Sequence, residues 1–188
     1  MRQRVGDLRN EREYFREIDA ERIDVMRKQF AWHERLEHLA GASHIHDPTI
    51  VTALDKLGFD QTTLGLLFLV PLVQVAWALG SIGERERDHI LAMADLRGIG
   101  VDTPGYERLL SWLERRPSDQ FFEETLRVIA AVLSCIPTEQ AMASKDAILL
   151  SCHDVAMVPC HGLGLFSRVC AAKRRAIEEI AKRLEAAF

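Results

Sequence analysis

Residues 64–97, LGLLFLVPLVQVAWALGSIGERERDHILAMADLR, decide the fold of this chain. They open with a nearly unbroken apolar run, residues 64–79, in which Gln74 is the only strongly polar side chain. A helix that is apolar on every side must be surrounded by other elements, so the run predicts the central helix of a bundle. Pro71 predicts a bend in that helix, because proline removes a backbone hydrogen bond.

The same run is a poor candidate for a membrane span. A spanning helix needs about 20 predominantly apolar residues, whereas this run is shorter, contains Pro71 and Gln74, and leads directly into a glycine turn and dense charge. Residues 1–10 are charged and lack the apolar segment of a signal peptide. We therefore expect a cytoplasmic protein without a membrane span.

Composition favours one all-α domain with an appendage. The 188 residues carry a formal net charge of −4, which argues against a dedicated nucleic-acid binder, because such proteins usually present a basic face. The four cysteines predict reduced thiols rather than disulfides in a chain without a signal peptide. No β-alternating run of useful length occurs. The sequence predicts a compact helical bundle over residues 41–188, preceded by a long helix within residues 1–40.

Residues 7–40 contain neither glycine nor proline and predict one long, charged, amphipathic helix. Its apolar residues follow a heptad-like spacing, with Arg22 and Gln29 at two intervening seam positions. Such a helix would be on the order of 50 Å long, more than the width of a small domain. It should therefore project and pair with another chain, or else fold back along its own bundle. The predicted interaction residues are Phe15, Ile18, Val25, Trp32 and Leu36, followed by Leu39.

Prolines and glycines divide the remaining chain into further helices. Asp47 is a predicted N-cap for a helix that starts at Pro48, and other starts are predicted at residues 103–104, 117–118 and 137–138. The final helix is predicted over about residues 171–187. Residues 75–98 and 155–184 share one scheme, in which an apolar helix end, a glycine-rich turn and a charged helix follow each other. This echo suggests two pseudo-repeated helical hairpins.

The first of these turns resembles the tellurite-resistance TerB-like family, and more closely an uncharacterised bacterial branch of it. The family pattern PLVxVAWADG is matched by residues 71–78, PLVQVAWA, but Leu79 stands where the aspartate is expected. Gly80 matches, and so does Glu86 at the acidic position six residues after it. The resemblance covers roughly residues 52–188 and implies a TerB-like bundle with a stress-linked or scaffolding role.

The second turn keeps less of the family pattern. A glycine-rich loop is expected there, then a serine and, six residues later, a glutamate; Ser167 is present, but Lys173 stands at the acidic position. An Asp-Gly turn followed by a glutamate could bind a hard cation such as Ca²⁺ or Mg²⁺. Leu79 removes one ligand and Lys173 reverses a charge, so we expect such a site to be lost. Glu86 would then be a first-turn acid that complements its helix dipole.

Other residues could bind a transition metal. Glu86 and His89 form one Glu-x-x-His step, which di-iron bundles use twice together with two further glutamates. Because only one copy occurs, the step is interpreted as part of a solvated helix face. Two His- and Cys-containing groups could meet at a zinc ion, although their spacing is not that of a standard finger. Cys152 falls on an apolar face, where a thiol packs as a small hydrophobe. These candidates are His44, His46 and Asp47 in one group, and Cys152, His153, Cys160 and His161 in the other.

No enzyme class is indicated by a motif. The sequence has no P-loop, no Rossmann glycine fingerprint and no Gly-x-Ser-x-Gly elbow, and the basic run at residues 173–175 is interpreted as solvated. We expect a non-enzymatic interaction or scaffold protein without a cofactor, with a protein partner or a second copy of itself as its target. The alternative is a metal-binding or metal-sensing module that uses the His and Cys groups.

Overall fold

A computed structural model of the chain describes residues 47–60, 62–158 and 170–185. Over these ranges the chain forms seven α-helices, two 3-10 helices and no strand, which confirms the all-α prediction. The predicted long helix at residues 7–40 lies outside the described residues. The α-helices are α1 (Pro48–Lys56), α2 (Val70–Ala76), α3 (Glu84–Asp95), α4 (Pro104–Glu114), α5 (Asp119–Ser134), α6 (Thr138–Met157) and α7 (Ala171–Glu185).

The apolar run lies at the centre of the bundle, as predicted. It forms α2 and the two 3-10 helices that adjoin it, Leu64–Leu69 and Trp77–Leu79, and α2 contacts α5, α6 and α7. The run is not one α-helix as predicted, because it changes from a 3-10 helix to an α-helix at Val70 and back to a 3-10 helix at Trp77. Pro71 occupies the first turn of α2, where an amide N–H would have no intrahelical partner, so the proline removes no helical hydrogen bond there.

Polar caps start the helices close to the predicted positions. The Asp47 carboxylate accepts a hydrogen bond from the Thr49 N–H at 2.8 Å and begins α1. The Thr103 hydroxyl accepts from the N–H of Tyr106 at 3.2 Å, at the start of α4. Such caps satisfy amide groups that the first helical turn leaves unpaired. The sequence therefore positions the helix starts locally, before any tertiary contact.

The core is formed mainly where α5, α6 and α7 surround α2. Apolar residues that recur every three or four positions predict an inward face on each of the helices α4 to α7, and most of these residues are buried. They are Leu109, Leu113, Phe122, Leu126, Ile129, Ala130, Leu133, Ile148, Cys152, Val155, Ala156, Ile177, Ile180 and Leu184. Among the described residues, none of the helices combines the length and the apolarity that crossing a membrane requires.

Arg108 links the end of α1 to α4. Its guanidinium group donates hydrogen bonds to the carbonyl oxygens of Leu57, at 2.8 Å, and Gly58. It also lies over the rings of Phe59 and Trp112, 5.0 and 5.2 Å from their centroids, where the ring faces attract a cation. Burial lowers the pKa of Arg108. This side chain thus satisfies carbonyls that the last turn of α1 leaves unpaired.

Candidate functional site

Glu86 and Lys173 form a buried ion pair between α3 and α7. The Lys173 ammonium contacts Oε1 of Glu86, and the two residues are only 0 and 3% exposed. The other carboxylate oxygen, Oε2, accepts a hydrogen bond from the N–H of Gly83 at 2.7 Å. The predictions of a solvated Glu86 face and a solvated basic run are therefore wrong for these two residues. Arg174 and Arg175 are exposed, as predicted.

The helix dipoles favour Glu86 at its position but disfavour Lys173 at its own. Glu86 is the third residue of α3, where the positive end of the helix dipole stabilises a carboxylate. Lys173 is the third residue of α7, where the same dipole disfavours a cation. A buried charge also requires a partner of opposite sign. Lys173 is therefore stabilised at this position by Glu86 across the bundle and not by its own helix.

The pair joins the two positions at which the TerB-like resemblance expects carboxylates. In this chain the Lys173 ammonium itself supplies the positive charge beside Glu86. Leu79 stands where the family pattern has an aspartate. Its side chain is exposed and apolar, and has no oxygen that could bind a cation. The chemistry available at this place is consequently charge pairing between helices, because both oxygens of the carboxylate already have protein contacts.

The other candidate metal ligands are dispersed among the described elements. Asp47 caps α1, His89 is partly buried on α3, Cys152 is buried in the core, and His153 is exposed on α6. Within residues 47–60, 62–158 and 170–185, no group of three or more His, Cys, Asp and Glu residues is placed to hold a metal ion. The candidates His44, His46, Cys160 and His161 lie outside the described residues, so their part in a metal site stays a prediction.

The thiol of Cys152 should be chemically inert in the folded protein. Burial raises its pKa far above the ordinary value, so the nucleophilic thiolate is scarce. Cys135 and Cys170 are free thiols that are partly exposed.

We expect iodoacetamide to alkylate Cys135 and Cys170 at least about tenfold faster than Cys152 in native protein, as measured by peptide mass spectrometry. Denatured protein, in which all three should react alike, is the control, and rapid native alkylation of Cys152 would contradict its burial.

Arg97 is a partly buried cation that the sequence analysis did not single out. Arg97 follows the last turn of α3, and its guanidinium group donates a hydrogen bond to the carbonyl oxygen of Met93 within that turn, at 3.1 Å. Burial lowers the pKa of Arg97 to about 10, so the side chain remains charged at neutral pH. A cation near a helix C-terminus complements the dipole. The sequence signal that could have identified Arg97 is its position directly after the predicted charged helix, where basic side chains often bind the last carbonyl groups.

A row of exposed apolar side chains on α6 was also missed. We call Met142, Leu150 and Met157 the outer stripe; they are 51, 44 and 44% exposed. Their spacing of eight and seven residues is close to two helical turns each, so they share one side of α6. This spacing is visible in the sequence, but periodicity alone did not show that these side chains stay exposed when the side with Ile148, Cys152 and Val155 packs into the core.

Comparisons of the chain with protein-family models, with curated proteins and with solved structures found no match. The TerB-like resemblance therefore rests on the motif residues around the two turns. What this chain does must be inferred from the placement of its own residues.

Proposed function

We propose that this chain is a non-enzymatic helical interaction or scaffold protein that self-associates, or docks on a protein partner, through residues 7–40. The observation that carries the proposal is the buried contact between Glu86 and Lys173. The contact neutralises a carboxylate that could otherwise bind a cation. It also holds α3 and α7 together through charged groups in their first turns. The TerB-like resemblance supports a stress-linked or scaffolding role.

The leading segment supplies the predicted interaction element. Its seam of large apolar residues needs to be covered, because an amphipathic helix gains most of its stability by packing that face. The length predicted for the helix, on the order of 50 Å, is greater than that of any described helix, the longest of which is α6 with 20 residues. A second chain is the simplest way to cover the remainder.

Self-association should depend on the seam. We expect full-length protein to be an oligomer and a variant with Val25→Asp and Leu36→Asp to be a monomer, because charged groups at seam positions oppose helix pairing. The matched control is Ala20→Asp with Phe30→Asp, which introduces the same two charges on the side of the predicted helix away from the seam and should leave the mass unaltered. Native mass spectrometry on protein purified without chelators reports the subunit number.

Deletion of residues 1–40 should have the same effect as the seam variant, with helical circular dichroism retained in the remainder. An unchanged oligomer mass after the deletion would contradict the proposal.

The same mass spectra test the metal-binding alternative, since a monomer that carries stoichiometric zinc or iron would favour it. Substitution of His46, Cys152 and Cys160 would then be the next step. No contact among the described residues favours that alternative at present.

A further inference from the structure

We propose that the outer stripe of α6 is the surface on which the apolar seam of residues 7–40 docks. The inference rests on the proposed function, because it takes the same segment as the interaction element, and it adds the surface that this segment contacts. Its starting point is that α6 exposes three large apolar side chains, and that a second apolar surface is predicted on the leading helix.

The first step is that α6 carries large apolar side chains on two opposite sides. Its inner side is buried in the core through Ser144, Ile148, Cys152 and Val155. Its outer side carries the outer stripe, three of the seven large apolar side chains that are exposed among the described residues. Large apolar side chains that recur along one outer side of a helix are typical of a face that packs on another element, although the exposed Asp146 and His153 lie between them here.

A comparison with α7 shows that this pattern is specific to α6. Both helices pack on α2 and on α5, so both are outer elements of the same bundle. The exposed positions of α7 are charged or small, as expected of a helix face that stays in water. They are Ala171, Arg174, Arg175, Glu178, Glu179, Lys182, Arg183 and Glu185.

The second step is the fit of the leading segment to this surface. The outer stripe extends over 15 residue steps of α6, about 23 Å, and the seam between Phe15 and Leu39 is longer than that. Both surfaces repeat at seven to eight residues, as two helices packed along each other require. Forty-six residues precede the first described residue, Asp47, so the chain has enough length for a helix and a connecting loop.

Charge decides between the leading segment and a second α6 as the occupant. The charged residue in the seam is Arg22, and the exposed charged residue between Met142 and Leu150 is Asp146. Docking of the seam in a register that places Arg22 beside Asp146 would bring charges of opposite sign together. Packing of two outer stripes against each other would instead bring Asp146 and Asp154 of one copy towards the same carboxylates of the other, and like charges in such proximity are unfavourable.

A photo-crosslinking experiment on the full chain tests the proposal. The photoreactive amino acid p-benzoylphenylalanine replaces Leu150 in one variant and Val101 in the control. Val101 is 71% exposed and lies in the connection between α3 and α4, not on α6. After irradiation, mass spectrometry should find peptides from residues 15–39 joined to position 150 and not to position 101. Adding Met142→Glu and Met157→Glu to the first variant should abolish that crosslink.

The outcomes separate this inference from the proposed function. Crosslinks from position 150 to the leading segment support docking on α6, whether they form within one chain or between two. If they form only within a monomer, self-association is overturned while the docking surface stands. If the seam variants dissociate an oligomer but position 150 never reaches residues 15–39, or does so no more than position 101, the docking surface is overturned and self-association stands.

Discussion

Replacement of Lys173 by methionine should lower the free energy of unfolding by about 3–5 kcal/mol, because it leaves the Glu86 carboxylate buried without its cation. Methionine preserves most of the side-chain volume, so the loss reports the charge and not a cavity. Urea denaturation followed by circular dichroism measures the change. Glu86→Gln should cost a similar amount, because it removes the carboxylate charge that the buried Lys173 ammonium contacts.

The double variant Glu86→Gln with Lys173→Met is the decisive control. Both charges are then absent, and the glutamine side-chain oxygen can still accept the hydrogen bond from the Gly83 N–H. We expect its stability to lie closer to that of the native protein than either single variant does, as for other buried ion pairs replaced as a unit. Arg174→Met, at the exposed neighbouring residue, is the control and should change the free energy of unfolding by less than about 0.5 kcal/mol. If the two single losses simply add in the double variant, the residues are not energetically coupled.

Replacement of Trp112 by alanine should also lower the free energy of unfolding by about 3–5 kcal/mol, since it removes a large buried ring and leaves a cavity. The ring is 9% exposed and lies 6.0 Å from Phe59 and 5.3 Å from Phe121, centroid to centroid. It also supports the guanidinium group of Arg108. The variant therefore loosens the contacts that join the end of α1, α4 and the start of α5.

Two milder variants identify what Trp112 contributes. Trp112→Phe keeps an aromatic ring and should recover much of the loss. Trp77→Phe removes the Nε1–H that donates to the Trp112 carbonyl oxygen at 2.9 Å, and should cost about 1 kcal/mol, the usual net contribution of one hydrogen bond. Denaturation midpoints rank the three variants. A Trp112→Ala loss no larger than that of Trp77→Phe would mean that the ring packing is of little consequence.

The helices themselves could largely be predicted, because their signals are local. Asp47 and Thr103 cap helices through side-chain oxygens only two or three residues away, and the periodic apolar residues of α5 and α7 are buried as their spacing indicates. Pro71 was interpreted wrongly since its effect depends on its position in the helix. Within the first turn of α2 it is harmless, whereas in the middle of a helix it would have forced a bend.

The sequence by itself determined an all-α chain with a buried central run, most of the helix starts and most of the inward faces, because capping and periodicity act over a few residues. Only the tertiary structure decided that Lys173 is buried. Its neighbours Arg174 and Arg175 are solvated, and its own helix dipole disfavours it, so no local rule indicates a core position. The carboxylate that makes it stable there, Glu86, is far away in sequence and reaches Lys173 only when α3 and α7 meet in the folded bundle.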